Sequence, residues 1–507
     1  MTSPHEIDAS FTALPYRRMA EAALARAQDF HVSHADFRFE RIRSQDVRVR
    51  DGRLQGASDS EDVGFAVRVV LNGAWGFASG VGLGQTTAVH VTETAIRTAQ
   101  VAAAMTSRPI ELAPEPTYRD VEWVSAYDID PLSVPLADKV DLLAGWSRQL
   151  LDAPGVQHAS GTLQQVVENK FYTDLSGTTT TQQRVRLQPM FEAFGTDEKS
   201  GVFDSMRTIA PPVGRGWEYL VGGAYDWAGE LEQLPGLLAE KLVAPSVQAG
   251  RYDLVIHPSN LWLTIHESIG HATELDRALG YEANYAGTSF ATIDKLNTLQ
   301  YGSPVMNVTG DRTQEHGLAT VGYDDEGVRT QEWDIVKDGV LVGYQLDRSM
   351  ALMHPELNGG RSNGCAYADS PGHIPIQRMA NVSLQAAADG PSTDELIGQV
   401  ERGIYVVGDK SWSIDMQRYN FQFTGQRFYR IEDGRLAGQL RDVAYQATTT
   451  DFWGSMEAVG GPETWELGGA FNCGKAQPGQ VASVSHGCPT SLFRDVNVLN
   501  TTAESGS

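Results

Sequence analysis

The segment RYDLVIHPSNLWLTIHESIGHATELDRALG, residues 251–280, decides the reading of this chain. It opens with a strand, RYDLVIH. Pro258-Ser259-Asn260 then starts a helix, which runs on from Leu261 and ends at Gly280. His266, Glu267 and His271 lie on that helix, directly after the strand and its cap. These are the residue types a catalytic zinc needs: neutral imidazoles bind the ion, and a carboxylate that does not bind it takes a proton from water. Histidines at i and i+5 point about 140° apart on an ideal α-helix, against about 40° for the familiar i, i+4 pair. A wide π-type turn, or local unwinding at Gly270, brings His271 back toward His266. By themselves the two histidines also fit an ordinary surface helix.

Upstream of this segment, residues 14–29 have the spacing of an amphipathic helix. From Phe37 to Ser79 alternating runs are punctuated by Asp51-Gly52 and Asn72-Gly73, pairs that tolerate positive φ and predict tight hairpins in a twisted antiparallel sheet. Helices are expected from Thr87 to Met105, Pro135 to Ala153 and Tyr225 to Val243, with strands between them up to about Phe194. Downstream the chain reads mostly as strands: Leu318 to Gly322, Arg329 to Lys337, Val340 to Leu346, Ile404 to Val407, Asn420 to Phe423 and Phe428 to Glu432. The expected class is α+β: a mixed N-terminal domain of antiparallel sheet and helices over 1–245, and a strand-rich C-terminal domain over 246–507 that carries the metal site.

Composition narrows the partners. With 40 Lys+Arg against 64 Asp+Glu, the formal net charge of -24 repels phosphate backbones and anionic lipid, so neither nucleic acid nor membrane is expected. No stretch approaches the roughly 20 apolar residues that span a bilayer. Met1 to Ser10 lacks the basic-then-apolar order of a secretory signal. Three widely spaced cysteines, Cys365, Cys473 and Cys488, suit a reducing compartment better than a disulfide framework, and a cytoplasmic location is expected.

HESIGHATELD, behind the strand RYDLVIHPS, resembles the HExxxH signature of the TldD/PmbA zinc metallopeptidases. Other blocks resemble the family in the same order: VRVVLNGAWGFAS, VGYDDEGV, LVGYQLDRSMA, NGGRSNGCAYADSPGHIPIQRMAN and, near the end, FNCGKAQPGQVASVSHGCPTSL. The resemblance implies His266 and His271 as Zn2+ ligands, Glu267 as general base, and Cys473 in Asn472-Cys473-Gly474-Lys475 as the third protein ligand, with Cys488 and Cys365 as fallbacks. Glu274 and Asp276 then orient ligands from behind, and Arg361, Tyr367 and His373 are candidates for stabilising an oxyanion. It further implies unfolded peptides or leader segments as substrates, and assembly as a homodimer or with a related chain. One stretch departs from the family: Gly408 to Asp415 lacks the glycine cluster common in its best-known members.

Two other readings stay open on sequence: a non-catalytic peptide-binding partner subunit of a TldD-type pair, and a zinc amidohydrolase acting on small molecules. Three weaker motifs carry no chemistry. Gly360-Arg361-Ser362-Asn363-Gly364 matches a serine-hydrolase elbow but sits among prolines and reads as a loop. Gly80 to Gly84 lacks phosphate-loop spacing. Asp324-Asp325-Glu326-Gly327 reads as a tight turn between strands.

Overall fold

The computed structural model describes residues 5–504. Residues 1–4, the start of the stretch read for an export signal, and 505–507 lie outside that range. Helix makes up 25% and strand 39% of the chain, and the fold is α+β.

The N-terminal half is built on one large sheet. β1 (His34–Arg50), β2 (Arg53–Leu71) and β3 (Ala74–Gly80) form two successive hairpins; β4 (Val121–Val124), β5 (His158–Asp174), β6 (Thr179–Thr196) and β7 (Phe203–Arg207) complete it. The strand order is β3-β2-β1-β5-β6-β4, with β7 also on β6. Both hairpin turns are tight for the expected reason: Asp51 and Gly52 have φ of 49° and 73°, and Asn72 and Gly73 have 51° and 73°. The helices Tyr16–Gln28 and Gln85–Ala103 pack on one face of this sheet, against Phe37, Phe39, Phe65 and Val67. Leu136–Leu151 and Trp227–Val243 cover the far end of β5 and β6.

Period-2 alternation puts the charged partners of those phenylalanines on the opposite face, and the fold buries that face too. Arg38, Glu40, Arg68, Glu168, Lys170, Arg184 and Arg186 are all buried against the C-terminal half. Lys170 Nζ bonds Asp325 Oδ2 at 2.8 Å and the Ala368 carbonyl at 2.8 Å. Arg68 reaches Glu326 at 2.9 Å, and Glu168 takes Arg184 and Arg186 at 2.9 and 2.7 Å. Burial would push the Glu168 carboxyl up, but Arg184, Lys170 and Arg186 outweigh it and hold it well below the usual carboxylate range. The Asp324–Gly327 turn is present, with Gly327 at φ 74°, yet its carboxylates are structural. Asp324 accepts the N–H groups of Glu326, Val328 and Ala366, while Asp325 and Glu326 take Lys170 and Arg68.

In the C-terminal half, β8 (Gly250–Ile256) lies parallel to Arg402–Ile414 and antiparallel to Ser491–Asn500. Val443–Thr448 and Asn420–Glu432 follow in order, and Asn420–Glu432 pairs back onto Arg402–Ile414, so the sheet closes into a ring. The two strands expected at Asn420–Phe423 and Phe428–Glu432 are therefore one. Leu318–Gly322 is not a strand: it is turn and coil pinned to other segments, with Leu318 N–H on Ser485 Oγ and Ala319 N–H on Asn381 Oδ1. Val340–Leu346 is strand only at Val340–Leu341. Val342 and Gly343 N–H still reach the Ile335 carbonyl, and Gln345 then turns to the metal-motif segment. The Gly360–Gly364 motif is a loop, its Ser362 hydroxyl donating to the Leu346 carbonyl. No helix among the described residues is long and apolar enough to cross a membrane.

The buried charges carry a stability test. Lys170→Met removes one of the two cations, Lys170 and Arg38, that Glu40 and Asp325 share, and is expected to destabilise the fold by about 3–5 kcal/mol. Arg17→Ala, which removes an exposed pair with Asp120, is expected to cost under about 1 kcal/mol. Urea denaturation of both variants measures the contrast.

Candidate metal centre

The segment after β8 is not one regular helix. Pro258–Ile265 is α-helical, His266–Gly270 is a π turn, His271–Thr273 is a 3-10 turn and Leu275–Ala278 is a short α-helix, before Gly280 at φ 87° ends the run. The π turn closes the angle between the histidines: the ring centroids of His266 and His271 are 4.7 Å apart. A π turn leaves carbonyls out of register, and here each is met. Tyr301 donates its hydroxyl to the Ser268 carbonyl, Thr273 Oγ1 donates to Ile269 O at 2.8 Å, and Gln345 Nε2 donates to Gly270 O at 2.7 Å. Position 270 has to be glycine for close approach, since a Cβ there would stand 2.5 Å from the Met379 sulfur.

The third donor comes from the hairpin Glu466–Lys475 and Gln480–Cys488. Cys473 Sγ lies 3.5 Å from His271 Nε2, and the ligand atoms of His266, His271 and Cys473 all fall within 4.8 Å of one another. All three residues are buried. Cys365 and Cys488 are buried elsewhere; Cys488 Sγ faces the Pro258 carbonyl at 3.7 Å, and burial pushes the Cys365 thiol up to about 12.

Hydrogen bonding sets the tautomer of both imidazoles. Glu274 Oε2 accepts from His271 Nδ1 at 2.9 Å, so the His271 Nε2 lone pair points at the cysteine. Burial would raise the Glu274 carboxyl, but Lys475, His271 and Arg277 outweigh it and hold it well below the usual range. On the other side stands a residue that sequence reasoning missed. His486 Nδ1 lies 2.8 Å from the Val382 carbonyl and must donate to it, which leaves His486 Nε2 an acceptor. His266 Nδ1, 2.7 Å from that nitrogen, therefore donates, and the His266 Nε2 lone pair is left for the centre. His486 is the lone histidine of the strand run VASVSH, in the same block as Cys473; its pairing with His266 has no local signature.

Burial lowers the pKa of His266, His271 and His486, so each imidazole is neutral at neutral pH. At Cys473 the Arg378 guanidinium favours the thiolate against the opposing effect of burial. Two neutral imidazoles with inward lone pairs and a thiol favoured toward thiolate suit a borderline-soft divalent ion such as zinc. Glu267, on the same turn, pairs with Arg418 Nη1 at 2.7 Å. Asp276 takes Lys475 Nζ at 2.7 Å and does not touch a histidine. Arg361, Tyr367 and His373 are engaged by Glu115, Glu168 and Asp369 respectively.

A groove of about 240 Å³ is lined by Trp262, Arg207, Asp409, Trp412 and the strand residues Gly468–Asn472, the last of them the chain neighbour of Cys473. Part of its wall is the strand Glu466–Lys475, which pairs only with Gln480–Cys488 among the described residues.

Residues 249–500 match the family described as PmbA/TldA metallopeptidase C-terminal domain, and residues 35–105 match PmbA/TldA metallopeptidase domain 1. The chain belongs to the PmbA/TldD metallopeptidase family. Among its relatives in that family, a metalloprotease of Methanothermobacter thermautotrophicus is 27% identical over 93% of this chain and 96% of its own length. A zinc metalloprotease TldD homolog of Saccharolobus solfataricus is 22% identical over 92% of this chain and 96% of its own. TldE from Thermococcus kodakarensis superposes with a TM-score of 0.67 at 16% identity, covering 95% of this chain and 99% of that one. A crystal structure from Thermotoga maritima gives 0.75 at 16% identity, covering 96% and 100%. These two solved structures share the PmbA/TldD fold with this chain.

The His486 relay predicts an effect on metal retention. His486→Leu removes the acceptor that fixes His266 and is expected to weaken divalent-metal affinity about 10–100-fold. His486→Gln, whose carbonyl can accept and whose amide can donate, is expected to keep most of it. Chelator competition on the two variants reads the difference.

Proposed function

We propose that this chain is a zinc-dependent peptidase that hydrolyses unfolded peptides or leader segments, with His266, His271 and Cys473 holding the ion and Glu267 as general base. The observation that carries the reading is the convergence of two tautomer-fixed imidazoles and one cysteine within 4.8 Å, on the turn that also bears Glu267. Zinc, when bound, supplies Lewis acidity for the scissile carbonyl and for water. Glu267 takes the proton from the attacking water and passes it to the leaving amine nitrogen. Glu274 and His486 keep both imidazole lone pairs directed inward throughout. Trp262 lies nearly parallel to His486, with ring centroids 6.3 Å apart.

The edge of the strand Glu466–Lys475 supports an extended peptide as substrate, because an unfolded chain can add as a further strand and be held through its backbone. A folded domain has no free backbone to offer. An intact His-Glu-His-Cys set speaks against a non-catalytic partner subunit, and a strand edge along the groove speaks against a small-molecule amidohydrolase. The similarity to TldE supports pairing with a second copy or a related chain. We place the chain in the cytoplasm on its three free thiols, and divide it into units 1–245 and 246–507, the second holding the whole centre.

Elemental analysis of dialysed protein is expected to give about one zinc per chain, and Cys473→Ser to lose most of it while Cys365→Ser and Cys488→Ser keep it. A full complement of metal in Cys473→Ser moves the third ligand elsewhere. Glu267→Gln is expected to retain the metal and lower peptide turnover about 10²–10⁴-fold. Mass spectrometry of digests should show cleavage of a denatured substrate and sparing of the same sequence when folded; equal rates on both contradict the edge-strand model of recognition.

A further inference from the structure

Arg418 does not belong to any motif read from the sequence, yet the fold goes to some length to place it. It sits at the tip between Arg402–Ile414 and Asn420–Glu432, where Asp415 organises the loop. The Asp415 carboxylate accepts the backbone N–H groups of Gln417, Tyr419 and Asn420 at 3.0, 2.8 and 3.0 Å. The tip is then fastened to residues 286–290: Thr288 N–H reaches Met416 O at 2.7 Å and Phe290 N–H reaches Gln417 O at 2.9 Å. Gly287 allows that approach, since a Cβ there would stand 2.0 Å from the Met416 carbonyl oxygen. Arg418 itself is held at φ 63°, a conformation that an L side chain adopts at a cost. The outcome is a guanidinium whose side chain is only 14% exposed, with Nη1 2.7 Å from Glu267 Oε2 and Nη2 3.4 Å from the Ala286 carbonyl.

A surface salt bridge needs none of this. The guanidinium has five N–H donors and spends two of them on Glu267 and Ala286. Donors remain on both terminal nitrogens, beside the carboxylate that would receive the water proton. We propose that Arg418 stabilises the oxyanion that forms on the scissile carbonyl, a role that rests on the peptidase reading above. As the water oxygen bonds to the carbonyl carbon, the carbonyl π pair moves onto oxygen and one water proton moves to Glu267. Glu267 becomes neutral, its pull on Arg418 falls, and the cation is released toward the new negative charge. When the C–N bond breaks, the pair returns to the carbonyl, the proton passes from Glu267 to nitrogen, and the ion pair reforms. Attraction to substrate is thus strongest in the transition state, the condition for raising turnover instead of binding alone.

The test uses R418M and R418K with an internal peptide substrate, amidated and with a free C-terminus, alongside binding of a phosphinate peptide that mimics the tetrahedral state. In R418M, kcat is expected to fall about 10²–10³-fold with KM within about threefold. Phosphinate affinity should fall in step, while metal content stays unchanged. R418K, with charge but no fork, should lie between. The assignment is overturned if R418M keeps its kcat, if the loss is all in KM, if it is confined to peptides with a free carboxylate, or if the variant loses its metal. Failure of the unaltered chain to cut any peptide overturns the parent reading and this one with it, whereas full turnover by R418M overturns this one alone.

Discussion

One buried ammonium joins the two pieces of the metal centre. Lys475 Nζ lies 3.2 Å from Glu274 Oε1 and 2.7 Å from Asp276 Oδ1, and it also takes both the backbone and side-chain oxygens of Gln377 at 2.9 Å. Glu274 orients His271; Lys475 stands two residues from Cys473 on the same strand. The ion pair therefore sets the distance between a ligand on the 266–273 turns and a ligand 202 residues further along the chain. A buried pair like this is an uncertain source of stability, because desolvation offsets most of the attraction, but it is selective about geometry. An unpaired Lys475 or Glu274 in that interior would be strongly disfavoured, so the strand and the turn have one register in which both charges are met.

The same logic operates on a larger scale at the N-terminal sheet. Phe37 and Phe39 face the helices, and Arg38 and Glu40 face the C-terminal half. A sheet with one apolar and one charged face usually keeps the charged face in water. Here it is covered, and the charged groups are met across the joint: Lys170 pairs with Asp325, Arg68 pairs with Glu326, and Arg186 donates a hydrogen bond to Ser483 Oγ at 3.3 Å. Apolar faces slide over one another at small cost, whereas crossed ion pairs hold one orientation. The segments that carry the groove and the Cys473 hairpin are thereby fixed against a rigid base.

Rigidity on one side of the centre is matched by the arginine loop on the other. Glu267 is held from outside by Arg418, and the histidines from behind by Glu274 and His486, so each functional atom has a partner that dictates where it points. The inward imidazole nitrogens and the thiol converge within 4.8 Å of one another, and the strand Glu466–Lys475 pairs with a single neighbour among the described residues. Those are the groups that an ion and an extended backbone would use.

The sequence by itself determined the local structure and the chemistry of the motif. Asp-Gly and Asn-Gly pairs specify their hairpins through φ, a property of two adjacent residues, and His266-Glu267 with His271 states a metal chemistry on its face. Even a distortion of the helix was legible, because i, i+5 histidines meet one ion through a π-type turn or local unwinding at Gly270, and the fold takes the π turn. Tertiary structure alone decided the rest. His486, 220 residues from His266, is made a tautomer-setting acceptor by the Val382 carbonyl, a group that every residue possesses and no pattern marks. Arg418 is aimed by a left-handed turn that Asp415 stabilises, and Leu318–Gly322 reads as a strand but finds its hydrogen bonds in Ser485 and Asn381 instead of a ladder. Arg361, Tyr367 and His373 carry suitable chemistry and are claimed by other partners. Residue type says what a side chain can do, but the partners of His266, Glu267 and His271 at the centre lie 220, 151 and 202 positions away, and only the folded packing says which of them each side chain meets.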